Sequence, residues 1–195
     1  KNALTFQWSD SNKYLVKLLI SMIPVGIVGV LWEEEVDALF SGRVLLVGVM
    51  LLVTATILYL TIFAKRQDKN VGFRQALIIG VAQAFAVMPG ISRSGATIGT
   101  ALLLGIKRDQ ATRFSFLMVL LPILGATAMK VKDLIEQEGA GSAEFWPMAA
   151  GFVGAFLSGL VACKWMITLV RKGQIIYFAF YCFIIGTIAI ISSFL

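Results

Sequence analysis

The stretch Pro89-Gly90-Ile91-Ser92-Arg93-Ser94-Gly95 decides how this chain is read. It divides the region Gln75–Ile106 into two apolar pieces, Ala76–Met88 and Ala96–Ile106. As helices rising 1.5 Å per residue, the pieces are only about 20 Å and about 16 Å long. Neither crosses a hydrocarbon core of roughly 30 Å. Pro89 and Gly90 end a helix, because proline lacks an N–H and glycine favours a turn. Two arrangements remain: a single broken span, or a re-entrant hairpin that enters and leaves on the same face. Irregular backbone at membrane depth is tolerated only where it is buried in protein or lines a watery cavity. The break is therefore where function is expected.

The chain around this break has 195 residues, of which 58% are hydrophobic and 14% charged. A soluble domain carries about 25% charged residues. Disorder is excluded, because it needs low hydrophobicity and high charge. Two cysteines cannot staple a secreted scaffold of this size. The composition reads as an all-α integral membrane protein. The net charge of +6 then marks cytoplasmic loops and points to no nucleic-acid partner. The absence of histidine excludes any mechanism that uses a histidine of this chain. The chain starts at Lys1 and not at Met, so residue 1 need not be the natural start, and residues 1–14 lack the apolar core of a signal peptide.

Five stretches are read as spans: Tyr14–Trp32, Val44–Ala64, Phe114–Met129, Pro147–Val170 and Ile175–Leu195. The third is short, but its flanks at Ala111 and Val131 can extend it. Trp8, Trp32, Tyr177, Lys65 and Arg171 sit near span ends, as interface anchors do. Loop charge chooses between the two arrangements. Lys1, Lys13 and Lys17 outweigh Asp10. The loop 33–43 is acidic, with Glu33, Glu34, Glu35 and Asp37 against Arg43. The loop 65–74 is basic through Lys65, Arg66, Lys69 and Arg74 against Asp68, and 107–113 through Lys107, Arg108 and Arg113 against Asp109. The segment 130–146 is acidic, and Arg171 and Lys172 make the last loop basic. Positive loops face the cytoplasm. A re-entrant pair at about 75–106 satisfies this alternation, with the N-terminus inside and the C-terminus outside. A full span there puts the basic loop 107–113 outside. The whole chain, 1–195, is read as one membrane domain.

Two stripes of small residues, Gly151–Ala155–Gly159 and Gly95–Gly99, predict close helix contacts. Ordinary packing within the bundle is the main expectation, and a homodimer face is the lesser one. Glu33-Glu34-Glu35 is read as a solvated acidic loop, not as a set of general bases or metal ligands. Cys163 and Cys182 are read as packing residues. Lys17 and Lys164 are placed to snorkel to the interface.

The chemistry is expected at Arg93. A guanidinium between apolar half-helices costs about 2.5–3.5 kcal/mol on insertion scales. It stays charged, and it matches phosphate oxygens two at a time. Ser92 and Ser94 add hydroxyls. Ser94 is predicted to cap the second half-helix, with Thr97 three positions later. The first turn then presents free N–H groups and a positive dipole end to an anion. Gly90 and Gly95 allow close backbone approach. A phosphate or diphosphate satisfies this set. A Walker A loop is excluded, because no Gly-Lys-Ser/Thr follows.

At these residues the sequence resembles the undecaprenyl-diphosphate phosphatase family, also known for bacitracin resistance. The run Pro-Gly-x-Ser-Arg-Ser-Gly-x-Thr is matched from Pro89 to Thr97. Arg74-Gln75-Ala76, Gly80 and Gln83 match before it. Gly105, Arg108, Ala111, Phe114-Ser115-Phe116-Leu117 and Pro122 match after it, and Met22-Ile23-Pro24 with Gly29 resembles an earlier helix. The resemblance covers nearly the whole chain. It implies two inverted repeats, each with a re-entrant pair, in the bacterial inner membrane. It implies hydrolysis of undecaprenyl diphosphate to the monophosphate carrier lipid used in cell-wall synthesis. Arg93, Ser92 and Ser94 take the catalytic positions. Gly95, Thr97 and Gln83 join them around the diphosphate. The family also has an N-terminal motif of two glutamates, a serine and a histidine, and nothing here matches it. The chain thus resembles the later two-thirds or so of a member. A divalent cation, Mg²⁺ or Ca²⁺, then has its ligands outside this chain.

Two other readings compete. A transporter or flippase for polyprenyl phosphates or anions uses the same broken-helix architecture. The acid-phosphatase-like lipid phosphatases also use a Ser-Arg motif, but with a downstream histidine nucleophile. The chain has no histidine, which excludes them.

Overall fold

A computed structural model describes residues 10–40, 42–64, 68–136 and 145–194. The described residues form helices joined by short connections. They are α1 (Asp10–Leu31), α2 (Glu33–Leu39), α3 (Val44–Leu60, continued by a 3₁₀ turn Thr61–Phe63), α4 (Phe73–Phe85), α5 (Arg93–Leu103), α6 (Arg108–Glu136), α7 (Phe145–Arg171) and α8 (Ile176–Ser192). The all-α expectation holds.

Four stretches are long and apolar enough to cross a membrane: Ser11–Leu31, Val44–Phe63, Arg108–Met129 and Trp146–Arg171. The fifth expected span is the 17-residue α8, about 26 Å long and just short of the usual length. Large side chains such as Phe152, Leu160, Phe180 and Ile188 are exposed along α7 and α8. Helices that are apolar all round belong in lipid or a core.

Two expected loops are helical. Glu33–Leu39 forms α2. The segment after Met129 continues α6 to Glu136, since it has good helix formers and no Gly or Pro before Gly139. Among the expected interface and loop residues, Lys1, Trp8, Lys65 and Arg66 lie outside the described residues.

The chain divides into two units. One takes in α1 to α5, α6 as far as Met118, and the C-terminal part from Ile175; the other is Val119–Gln174. The core of the first unit lies around α4 and α5, where Ala76, Ile79, Ala96, Ile98, Ala101 and Leu102 are buried. α1 and α4 run parallel. Lys17 meets Phe73, and further along a Cβ at Gly80 would collide with the Ser21 backbone. α3 and α5 also run parallel, with Thr54 against Gly95 and Ile57 against Gly99. The Gly95–Gly99 stripe is therefore a packing face, as expected. At the other stripe, among the described residues outside its own helix, nothing lies within 4 Å of a Cβ placed at Gly151 or Gly159.

The backbone shows α4 and α5 folding back on each other. The Lys69 N–H donates to the Gly105 carbonyl at 3.1 Å, and the Lys107 N–H donates to the Lys69 carbonyl at 3.0 Å. The chain thus enters α4 and leaves α5 at one point. The pair is a hairpin with a closed base.

Candidate phosphate-binding site

The hairpin tip is built from the residues that break the helix. Gly90 has φ +93°, a left-handed conformation that glycine adopts without steric cost. A Cβ there would lie 2.5 Å from the Val47 carbonyl oxygen and 3.0 Å from Met50 Cβ. The tip therefore lies directly against the first turns of α3. Ile91 N–H closes the turn onto the Met88 carbonyl at 3.2 Å.

Thr54 of α3 fastens this turn. Its hydroxyl oxygen accepts from the Ser92 N–H at 3.1 Å. Its proton faces the carbonyls of Met50 at 3.1 Å and Gly90 at 3.4 Å. Thr54 is fully buried, so it substitutes for water at the start of α5. The sequence reading passed over it. Its one signal is a hydroxyl in a largely apolar span, which Thr56 shares. Replacing Thr54 by Val keeps the shape and strands the Ser92 N–H, at a cost of about 1–3 kcal/mol. We expect thermal unfolding in detergent to show that loss for Thr54→Val and to spare Thr54→Ser. An unchanged melt for Thr54→Val would show that the threonine is not the anchor.

The cap of α5 is Ser92, two residues before the expected Ser94. Its Oγ accepts from the Gly95 N–H at 3.1 Å. The helix starts as soon as the chain leaves the Gly90 turn, which puts Arg93 and Ser94 inside its first turn. Ala96 N–H bonds to the Ser92 carbonyl at 2.8 Å. Of the orphan donors at a helix start, the N–H groups of Arg93 and Ser94 remain without partners among the described residues.

The side chains divide into two groups. Ser92, Arg93 and Ser94 are partly buried at the tip, with the two serine oxygens 3.5 Å apart. No described carboxylate pairs with Arg93. Thr97 and Gly95 face inward. Thr97 is fully buried, and its hydroxyl donates back to the Arg93 carbonyl at 3.0 Å, with the Ser94 carbonyl at 3.4 Å. It braces the first turn from behind. Gly95 gives its N–H to the cap and leaves room for Ser92 Oγ, which is 3.0 Å from where a Cβ would stand. Gln83 of α4 is fully buried, and neither of its amide atoms has a hydrogen-bond partner among the described residues. Its partner is expected to be a water or a ligand group, since an unmade buried hydrogen bond costs about 1–3 kcal/mol.

Among the described residues, two N–H groups without partners, a helix N-terminus and the serine hydroxyls lie together at the tip beside Arg93, a set whose chemistry suits an anion. It does not fit Mg²⁺ or Ca²⁺ alone. Those ions take carboxylate and carbonyl oxygens, and the tip motif has no carboxylate.

A sequence model described as bacitracin resistance protein BacA matches residues 2–188. The chain belongs to the BacA family. An undecaprenyl-diphosphatase of Christiangramia forsetii is 52% identical over 192 residues, covering 98% of this chain and 72% of that protein. One from Bacteroides fragilis is 48% identical over 190 residues, covering 96% and 71%. Undecaprenyl-diphosphatase 3 of Bacillus anthracis is 37% identical over 199 residues, covering 98% and 73%. The BacA match spans both hairpin helices, and with the apolar helices it makes this a multi-pass membrane protein.

Proposed function

We propose that this protein hydrolyses undecaprenyl diphosphate to undecaprenyl phosphate and inorganic phosphate, returning the carrier lipid to cell-wall synthesis. BacA-family membership and relatives named undecaprenyl-diphosphatase support the reaction. The observation that carries it to particular residues is Arg93 at the start of α5, which has no carboxylate partner among the described residues and stands beside two N–H groups that have none there either.

Arg93 grips two oxygens of the diphosphate in a bidentate contact. The Arg93 and Ser94 N–H groups and the Ser94 hydroxyl hold the remaining oxygens, and the positive end of α5 adds to them. Ser92 Oγ already accepts from Gly95, so its own proton is available to the substrate. Charge shifts along the phosphoryl oxygens as the anhydride bond breaks. Fixed donors aimed there act without reorganising. Thr97 and Thr54 hold those donors in place. The resemblance assigns water activation and any divalent cation to the glutamate- and histidine-bearing motif, which has no match in this chain.

The lipid tail has a route. A groove of about 510 Å³ opens beside the tip, lined by Pro24, Val28 and Val36 on one side and by Ala84, Val87 and Met88 on the other, with Glu35 its charged member. Met88 directly precedes the motif, so a diphosphate at Arg93 lies next to an apolar channel for the first isoprene units. We place the protein in the bacterial inner membrane, where this lipid is used.

The test is phosphate release from undecaprenyl diphosphate by the purified intact protein in detergent. Hydrolysis needs no gradient, so release is expected there. A flippase moves its lipid and releases no phosphate; that result would overturn the reading.

A further inference from the structure

Three separate basic stretches meet at the base of the hairpin. Lys69 and Lys107 are joined there through their backbones, and Arg74 stands in the first turn of α4. Lys17 brings the start of α1 to the same end, with its Nζ 5.4 Å from the centre of the Phe73 ring. The start of α6 arrives through Phe114, whose ring meets Tyr14 edge-on at 5.8 Å. It carries Arg108 and Arg113. Lys69, Arg74 and Lys107 are exposed. Arg113 pairs with Asp109 at 2.9 Å, yet its side chain stays 66% exposed. Asp68 and Asp109 are the acids of these connections, so positive charge dominates.

Helix dipoles do not relieve this charge. α1, α4 and α6 all begin at this end, each presenting about half a positive charge. The C-termini of α3 and α5 offset only part of it. Arg74 and Arg108 stand in first turns, the helix position that disfavours a cation. Among the described residues the acids of these connections, Asp68 and Asp109, are fewer than the cations, so an anion from outside would relieve the charge. The apolar helices that start here place this end at a membrane surface.

We propose that the hairpin base is a docking surface for acidic phospholipid headgroups, gripped by Lys69, Arg74, Lys107 and Arg113 through their phosphates. Arginine suits phosphate in a bidentate contact. Each basic residue near an anionic leaflet strengthens binding about fivefold. The surface lies at the opposite end of α4 and α5 from Arg93, so it stands without the hydrolysis reading.

Native mass spectrometry of the intact protein, loaded in detergent with phosphatidylglycerol or phosphatidylcholine, tests it. The parent is expected to retain phosphatidylglycerol preferentially. The triple variant Lys69→Gln, Arg74→Gln, Lys107→Gln should lose at least about tenfold of that preference, while Arg43→Gln, at the start of α3, keeps it. Salt supplies a second arm that needs no variant: at about 1 M the Debye length falls to about 3 Å and the preference should vanish. Equal retention of both lipids by the parent, or a preference that survives salt or the triple substitution, would overturn the proposal.

Discussion

Arg93→Ala lowers phosphate release from undecaprenyl diphosphate by about 10²–10³-fold, the loss expected when a fixed donor to a developing charge is removed. Arg93→Lys should recover little of it. Lysine is a point charge on a flexible stem, and it cannot hold two phosphate oxygens in one plane. Both variants should insert and melt as the parent does, because no described carboxylate depends on Arg93. Steady-state phosphate release, read beside thermal unfolding in the same detergent, separates the two effects. Turnover within a few-fold of the parent in either variant would remove Arg93 from the diphosphate.

Gly90→Val produces the second large effect, and it is one on the fold. A side chain at φ +93° costs on the order of 1–3 kcal/mol. The new Cβ also meets the Val47 carbonyl at 2.5 Å, and overpacking of that kind costs about 1–3 kcal/mol more. The chain relieves both strains only by moving the tip away from α3, which pulls Ser92 off Thr54. The melting temperature should fall and phosphate release should fall with it. Gly151→Ala is the matched control. Its Cβ meets nothing within 4 Å, and alanine in a helix interior is favoured by about 0.5–1 kcal/mol. It should melt at or slightly above the parent. A Gly90→Val protein with the parent's melting temperature would show that the tip does not depend on that turn.

Much of this was legible in the sequence, and the failures have physical causes. Pro89 and Gly90 announce the break through local chemistry alone. The charge of residues 65–74 and 107–113 favoured a hairpin, because it reports on which side of a membrane each loop lies. The two hydrogen bonds between Lys69 and residues 105–107 could not be foreseen, since a backbone contact leaves no side-chain signature. The cap was misplaced for a similar reason. Ser92 and Ser94 are equally good caps in composition, and only the geometry of the Gly90 turn decides which is the last residue outside the helix. That shift of two residues moved Arg93 into the first turn. Thr97, expected beside the diphosphate, is buried and turns its hydroxyl back to the Arg93 carbonyl. Thr54 gave little signal because the groups it fastens, the Gly90 carbonyl and the Ser92 N–H, lie in the hairpin turn, far along the chain.

The closed base of the hairpin has a topological consequence. Because entry and exit are joined, the insert adds an even number of passages to the chain, and α6 leaves the base as it would if Asp68 ran straight into Arg108. The hairpin is silent in the parity of the fold. Residues along it can be exchanged, and its length altered by whole turns, without inverting any later helix. The orientation of the later helices and the chemistry of the tip are thereby separate variables, and the sequence can change one while keeping the other.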